Sequence, residues 1–214
     1  MSILFCKNLD IEIAGNILLS NITFRLEYGK KAGLIGANGA GKTTLLRAIM
    51  GNIPYEKGTI YRPEIIGYLP QTTLNLRDDQ GMVLDSMLTE RQDILEMRSN
   101  LRFLELKMSH EADEKTVEQY GELTERYERS GGYALEAQVR RILSGLGLEQ
   151  EQSKDTTHLS GGQKTRLALG KLLLKEPELL ILDEPTNHLD IEALEWLENY
   201  LANYPHRRLR PALP

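Results

Sequence analysis

Short apolar segments with the residue types of β-strands fill the first 70 positions and alternate with turn residues. Six strands are predicted here, at residues 3–6, 11–13, 22–26, 31–35, 59–61 and 65–69. The dipeptide Gly15-Asn16 predicts a turn between two of them. The period becomes helical after Lys42, where four apolar residues between positions 45 and 50 share one face and Gly51 supplies a stop signal.

A second pattern begins near Val83, where apolar residues recur at three- and four-residue steps with charges of both signs between them. A polar break at residues 109–113 divides this pattern, and Ser130-Gly131-Gly132 ends it. We therefore predict a helical hairpin over residues 83–132. Two interpretations stay open for it, a plain solvated pair of helices or a protruding arm that contacts a partner.

Helices and strands alternate again in the last third of the chain. Helices are predicted from residue 133 to 143, from 163 to 174 and from 191 to 201, and a strand at residues 179–182. Alternation at both ends of the chain predicts an α/β core into which the hairpin is inserted.

Composition and charge restrict the class of protein. The 214 residues are 41% hydrophobic and carry a net charge of −5, which argues against a basic footprint over the whole surface. The single cysteine, Cys6, cannot form an internal disulfide, so a reducing compartment is expected. We find no signal-peptide pattern and no apolar run near the roughly 18 residues of a membrane span. We therefore expect a cytoplasmic protein without direct membrane insertion.

One segment matches the phosphate-loop pattern G-x-x-x-x-G-K-[ST]. Its residues are Gly36, Ala37, Asn38, Gly39, Ala40, Gly41, Lys42 and Thr43, with Thr44 next in the predicted helix. The glycines let the backbone wrap around phosphates, and the N–H groups at the helix start offer partial positive charge. Lys42 is placed to reach the β- and γ-phosphates and the Thr43 hydroxyl to ligate Mg²⁺. The sequence thus predicts ATP and Mg²⁺ as ligands.

Two acidic residues follow the apolar strand at residues 179–182. A buried parallel strand presents its C-terminal side chains at the same edge of the sheet as the phosphate loop. We expect Asp183 to hold Mg²⁺, through water, and Glu184 to polarise the attacking water.

A second candidate anion site lies at Ser160, Gly161, Gly162 and Gln163, before a predicted helix. A simple capped helix is the plainer interpretation of this turn. Because one nucleotide does not need two such loops from one chain, the second would bind the phosphate of an ATP held by another domain of the same kind.

Taken together, these motifs resemble those of the ATP-binding cassette (ABC) superfamily. Residues 36–43 correspond to its Walker A motif, 159–163 to its signature, 179–184 to its Walker B motif and 187–190 to its D-loop. Gln71 resembles the Q-loop glutamine, which in that family senses Mg²⁺ and the attacking water. The resemblance implies that two cassettes face head to tail, with each ATP between one Walker A and the other signature.

The fold implied by this resemblance is α/β, of the P-loop NTPase type. It would have a mixed sheet flanked by helices, an N-terminal antiparallel β part and the inserted helical arm. We expect a single ATP-binding domain over residues 1–214, with the arm at residues 83–132.

The segment at residues 183–190 and the charged hairpin resemble the ABC-F branch, whose arm contacts the ribosome. The resemblance implies an ATPase, with Glu184, Gln71 and Lys42 as catalytic residues, coupled to translation. The implied partners are the ribosome and a second cassette, in a dimer or in a missing C-terminal half. The alternatives are a nucleotide-binding subunit of an ABC transporter, and a truncated fragment that binds ATP without hydrolysing it.

This sequence departs from the family pattern in three places. Leu213 falls near the place of the family's switch histidine, and His206 comes too early to replace it. The second cassette and the linker between cassettes are absent, and we expect the chain to be the front half of an ABC-F-like protein. Arg207, Arg208 and Arg210 lie in the atypical tail at residues 206–214, which is either a small basic patch for RNA or, as we favour, a truncated or frame-shifted end. Ile13 and Ala14 stand where cassettes place an aromatic residue that stacks on adenine.

Overall fold

The structure is a computed structural model that describes residues 2–70, 81–110, 113–185 and 189–204. Gln71, residues 187–188 of the D-loop-like segment and the predicted tail at residues 206–214 lie outside the described residues. The described residues form five β-strands and seven α-helices, and their contacts divide the chain into two units. A strand-rich unit comprises residues 1–71, 176–184 and 203–214, and a helical unit comprises residues 72–175 and 185–202.

A three-stranded antiparallel sheet opens the strand-rich unit. Strands β1 (Ser2–Ile13) and β2 (Asn16–Glu27) form a hairpin, and β3 (Lys57–Tyr61) pairs with the other edge of β1. The turn residues Ala14 and Gly15 have φ of 51° and 81°, as tight hairpin turns require. Both strands are longer than predicted because the chain passes through irregularities near Asn8 and Asn21, where φ is positive, and then continues the pairing. The expected antiparallel N-terminal part is confirmed.

A parallel pair of strands and one helix complete this unit. Strand β4 (Ile66–Leu69) pairs with β5 (Leu179–Leu182), and helix α1 (Lys42–Met50) ends at Gly51, whose φ of 76° forms a left-handed cap. Apolar side chains from β1, α1 and β5 form one buried cluster. Its members are Ile3, Leu4, Cys6, Leu9, Ile11, Leu45, Ala48, Ile49, Leu179 and Ile181.

The predicted strand at residues 31–35 is wrong. Residues 31–37 have no regular secondary structure, and the Ile35 side chain is 95% exposed. The described strands pair in the orders β2-β1-β3 and β4-β5, so this segment has no strand partner among them. A short apolar run satisfies local strand preference, but pairing is decided by tertiary context, which the run alone does not contain.

The helical unit follows the predicted order of helices. Its members are α2 (Val83–Leu88), α3 (Gln92–His110), α4 (Glu114–Arg129), α5 (Leu135–Gly145), α6 (Gly161–Lys175) and α7 (Ile191–Ala202), with a 3-10 turn at Thr89–Arg91. Helices α3 and α4 pack against each other within residues 92–129, a shorter range than the predicted hairpin at residues 83–132. Asp113 caps α4, because its carboxylate accepts from the Thr116 backbone N–H at 2.7 Å.

Helix α2 is not part of the α3–α4 hairpin and packs against other helices of this unit. Val83 and Met87 are fully buried, and α2 contacts α5 and α6. Gly145 gives α7 its close approach to α5, because a Cβ atom there would overlap the Trp196 ring. In the part of the chain that the structure describes, no helix is both long and apolar enough to cross a membrane.

Candidate nucleotide-binding site

The phosphate-loop segment depends on glycine for its backbone shape. Gly39 and Gly41 have φ of 80° and 89°, in the left-handed region that glycine adopts without steric cost. A Cβ atom on Gly41 would lie 3.2 Å from the Leu19 side chain, so a larger residue would also crowd the β1–β2 hairpin. Residues 31–40 are exposed, and the loop therefore presents its backbone to solvent.

Helix α1 begins directly after this loop. Its N-cap is Gly41, which has no side chain to satisfy the first N–H groups of the helix. These N–H groups and the helix dipole together favour an anion at this end. The Lys42 ammonium donates to the carbonyls of Gly36 at 2.8 Å and Ala37 at 3.0 Å. Because these bonds use two of its three protons, the loop holds Lys42 in place without exhausting its donors.

The start of α1 and the end of β5 meet at one hydrogen bond. The Thr43 hydroxyl donates to Asp183 Oδ2 at 2.9 Å, across 140 residues of sequence. Asp183 is only 6% exposed, and its backbone N–H donates to the Leu69 carbonyl at 3.0 Å, which continues the β4–β5 pairing. Since Thr43 gives its proton to Asp183, the lone pairs of its oxygen stay available to a cation. A hydroxyl and a carboxylate are hard oxygen ligands, so these residues fit Mg²⁺.

Tyr68 is a contact of Asp183 that the sequence did not predict. Its hydroxyl donates to the same Oδ2 atom at 3.4 Å. Burial raises the pKa of the Tyr68 phenol, the Asp183 carboxylate raises it further, and the Arg47 guanidinium acts in the opposite direction. Tyr68 therefore keeps its proton at neutral pH and remains a donor. The signal for this contact is the β4–β5 register, which sets Tyr68 opposite Ile181, two residues before Asp183.

Glu184 follows Asp183 in an unusual backbone conformation. Its φ is 51°, and its side chain is exposed. A non-glycine residue in this region carries about 1–2 kcal/mol of steric cost. Such outliers concentrate at functional sites, where the surrounding structure imposes them.

The second predicted anion loop is held by reciprocal hydrogen bonds. The Ser160 backbone N–H donates to Gln163 Oε1 at 2.9 Å, and the Gln163 N–H donates to Ser160 Oγ at 3.3 Å. This arrangement is a capping box at the start of α6. Gln163 Nε2 also donates to Glu151 at 3.2 Å, so both ends of this amide hold the loop. A Cβ atom on Gly161 or Gly162 would have no neighbour within 4 Å, so this face of the loop is open.

Arg166 is a second residue that sequence reasoning missed. Its Nη1 atom donates to the Leu146 carbonyl at 3.2 Å and lies 3.5 Å from Asp190 Oδ2. The other oxygen of Asp190 accepts from the Ala193 N–H at 2.9 Å and so caps α7. Arg166 therefore joins the helix after the second loop to the last residue of the D-loop-like segment.

The predicted site residues divide between the two units. The strand-rich unit contains the phosphate loop and both acidic residues, and within it Thr43 and Asp183 are in direct contact. Its members are Gly36, Ala37, Asn38, Gly39, Ala40, Gly41, Lys42, Thr43, Thr44, Asp183 and Glu184. The loop from Ser160 to Gln163 belongs to the helical unit, and Gln71 lies outside the described residues.

A glycine-rich loop that opens a helix beside an acidic strand end defines a P-loop nucleotide-binding domain. The family model described as ABC transporter matches residues 19–187. The chain therefore belongs to the ATP-binding cassette family and is an ATP-binding domain. Cassettes of this family work as dimers or with a second domain.

Comparison with curated relatives identifies the branch of the ATP-binding cassette family to which the chain belongs. The chain is 44% identical to the ATP-binding protein YdiF of Bacillus subtilis, over 95% of this chain and 32% of YdiF. It is 37% identical to the energy-dependent translational throttle protein EttA of Escherichia coli, over 87% of this chain and 34% of EttA. Together with ABC transporter F family member 4 of Arabidopsis thaliana, 34% identical over 92% of this chain and 28% of that protein, YdiF and EttA make it a cassette of the ABC-F kind. The chain spans about a third of the length of YdiF and about a third of the length of EttA.

Solved structures agree on the fold. The structure of an ATP binding subunit of an ABC transporter aligns with a TM-score of 0.66 and 24% identity, over 95% of this chain and 75% of that one. The α/β fold of the P-loop NTPase type is therefore confirmed.

Proposed function

We propose that this chain hydrolyses ATP with Mg²⁺ as one cassette of an ABC-F pair, and that its nucleotide cycle is coupled to translation. The observation that carries this proposal is the hydrogen bond from Thr43 to Asp183. It joins the phosphate-binding loop to the acidic strand end, which is the arrangement that a phosphoryl-transfer site needs.

The phosphate loop binds and orients the nucleotide. The N–H groups at the start of α1 and the Lys42 ammonium contact the phosphates, and the exposed backbone of residues 36–40 lets them approach closely. Thr43 and Asp183, together with Gln71, hold the cation. Mg²⁺, when bound, supplies positive charge that neutralises the phosphate oxygens.

Glu184 is the general base of this proposal. Its exposed carboxylate lies two residues after β5 and accepts a hydrogen bond from the attacking water, which raises the nucleophilicity of that water. Its position next to Asp183, close to the end of β5, supports this assignment.

A second cassette completes the site. The open face of Gly161 and Gly162, at the start of α6, is suited to the phosphate of an ATP bound by that second cassette. Ser160 and Gln163 hold the loop in shape for this contact. The second cassette is either another copy of this chain or a further domain in a longer protein.

The coupling to translation rests on the relationship to EttA, whose name identifies it as a translational throttle protein. The hairpin of α3 and α4 is the arm that contacts the ribosome in this proposal. Phe103 and Leu106 are each 65% exposed on α3, which leaves apolar side chains on the hairpin for a partner.

Steady-state ATP hydrolysis, measured at increasing protein concentration, tests this proposal. Turnover per molecule should rise with concentration, because two cassettes share each site, and Glu184→Gln should abolish it. Glu176→Gln is the matched control, since Glu176 is another glutamate of the same unit with a positive φ, 49°. Hydrolysis that survives in Glu184→Gln would refute the assignment of the base. ATP binding without turnover would favour a fragment that binds but does not hydrolyse.

A transporter's nucleotide-binding subunit is the second candidate. The matching family is described as ABC transporter and the aligned structure is of a transporter subunit, and both observations favour this candidate. The two candidates differ in their partner, so fractionation of cell extracts separates them. Co-sedimentation with ribosomes, strengthened in Glu184→Gln with ATP, supports the translation role, and recovery with membranes supports the transporter role.

A further inference from the structure

The Asp183 carboxylate receives hydrogen bonds from two different segments of the strand-rich unit. Thr43 on α1 donates at 2.9 Å and Tyr68 on β4 donates at 3.4 Å, both to Oδ2. A carboxylate that is only 6% exposed needs such donors, because water does not compensate for its charge. The two donors differ in their relation to the nucleotide, since Thr43 belongs to the phosphate-loop segment and Tyr68 does not.

Strand pairing fixes the position of Tyr68. In the parallel register Tyr68 lies opposite Ile181, and Leu69 accepts from the Asp183 N–H at 3.0 Å. The backbones that carry the phenol and the carboxylate are therefore locked together.

We propose that Tyr68 is a positioning residue for the divalent cation of this site: its hydroxyl fixes the orientation of Asp183. The inference rests on the proposed function, in which Thr43 and Asp183 manage Mg²⁺. Thr43 donates to the same carboxylate, but it also belongs to the phosphate-loop segment that binds the nucleotide. Tyr68 lies on β4, outside that segment, so its hydrogen bond is a second support for the orientation of Asp183.

Tyr68→Phe removes one hydroxyl and keeps the ring. At 3.4 Å this hydrogen bond is longer and weaker than the one from Thr43, so its loss should weaken cation affinity about threefold to tenfold. Nucleotide affinity without a cation should not change, because the phosphate loop is intact. A residue that only supported the fold would weaken both affinities together.

The experiment uses the full chain and two titrations. Binding of Mn²⁺ in the presence of a non-hydrolysable ATP analogue is followed by electron paramagnetic resonance. Binding of a fluorescent ATP analogue is measured in excess EDTA. Tyr61→Phe is the matched control, since Tyr61 is a strand tyrosine of the same unit with an exposed side chain.

Weaker Mn²⁺ binding in Tyr68→Phe, with unchanged nucleotide binding in EDTA and a wild-type response in Tyr61→Phe, supports the proposal. Unchanged Mn²⁺ binding in Tyr68→Phe overturns it and leaves the proposed function intact. Loss of nucleotide binding in EDTA overturns it too, because the hydroxyl would then support the loop or the fold. If the wild-type chain binds no Mn²⁺ with the analogue, both this inference and the proposed cation site are overturned.

Discussion

Replacing Thr43 by valine keeps the shape of the side chain and removes the hydroxyl that donates to Asp183. Thr43 lies in the first turn of α1, and valine and threonine have similar helix propensity, so the change isolates the hydrogen bond. Asp183 would remain nearly buried with Tyr68 as its other donor. The perturbation therefore measures how strongly the phosphate loop is attached to the acidic strand end.

The expected cost follows from the geometry of this contact. A hydrogen bond to a charged group contributes about 1.5–3 kcal/mol to stability. Tyr68 still donates to the same oxygen, so the lower half of that range applies. We expect Thr43→Val to lower the free energy of unfolding by about 1.5–2 kcal/mol in the absence of nucleotide.

Urea unfolding followed by far-UV circular dichroism measures this cost. Intrinsic fluorescence is unsuitable, because the chain's single tryptophan, Trp196, belongs to the helical unit. Thr44→Val is the matched control, since Thr44 is the next residue of α1 and is also half-buried. A free energy of unfolding within about 0.5 kcal/mol of wild type, the usual range for neutral substitutions, would refute the assigned contact.

Three further predictions concern the helical unit. Gln163→Ala should lower the free energy of unfolding by about 1 kcal/mol, because it breaks the capping box, and thermal unfolding measures this. Asp113→Ala should speed amide exchange at Thr116 at neutral pH. The Thr116 N–H and hydroxyl lower the pKa of Asp113 from 3.8, so its stabilising effect is present above that value and disappears as the pH falls through the lowered pKa. Gly145→Ala should cost about 1–3 kcal/mol by crowding Trp196, and urea unfolding followed by its fluorescence measures this.

Each of these three predictions has a contradicting result. An unchanged melting temperature in Gln163→Ala would mean that the capping box contributes nothing. An exchange difference at Asp113→Ala that persists at acid pH would mean that the carboxylate charge is not its cause. Wild-type stability in Gly145→Ala would show that α5 and α7 are not in close contact at this position.

Local sequence signals were sufficient to predict a helix or strand where residues at its two ends mark its limits. Strand β5 was predicted at residues 179–182, where the structure has it, since an apolar run between Pro177 and Asp183 admits few alternatives. Helix α1 likewise begins at Lys42 and ends before Gly51, as predicted. The phosphate loop could be recognised for the same reason, because its glycines act through local backbone geometry.

Features that depend on contacts between distant segments of the chain could not be predicted from the sequence. The apolar run at residues 31–35 contains strand residues, yet no partner strand lies beside it in the described residues. The contact between Tyr68 and Asp183 depends on a parallel register that one-dimensional spacing does not specify. The link from Arg166 to Asp190 joins separate helices and likewise required coordinates.

The sharing of each nucleotide between two cassettes is the central claim, and ATP-dependent association tests it most directly. Glu184→Gln should retain ATP, so its sedimentation coefficient should rise to that of a dimer when Mg²⁺ and ATP are added. Adding Gly162→Asp to this variant should keep it a monomer, because a carboxylate would enter the open phosphate-binding face. A Glu184→Gln chain that stays a monomer at every ATP concentration, or that dimerises equally with Gly162→Asp, would contradict the account.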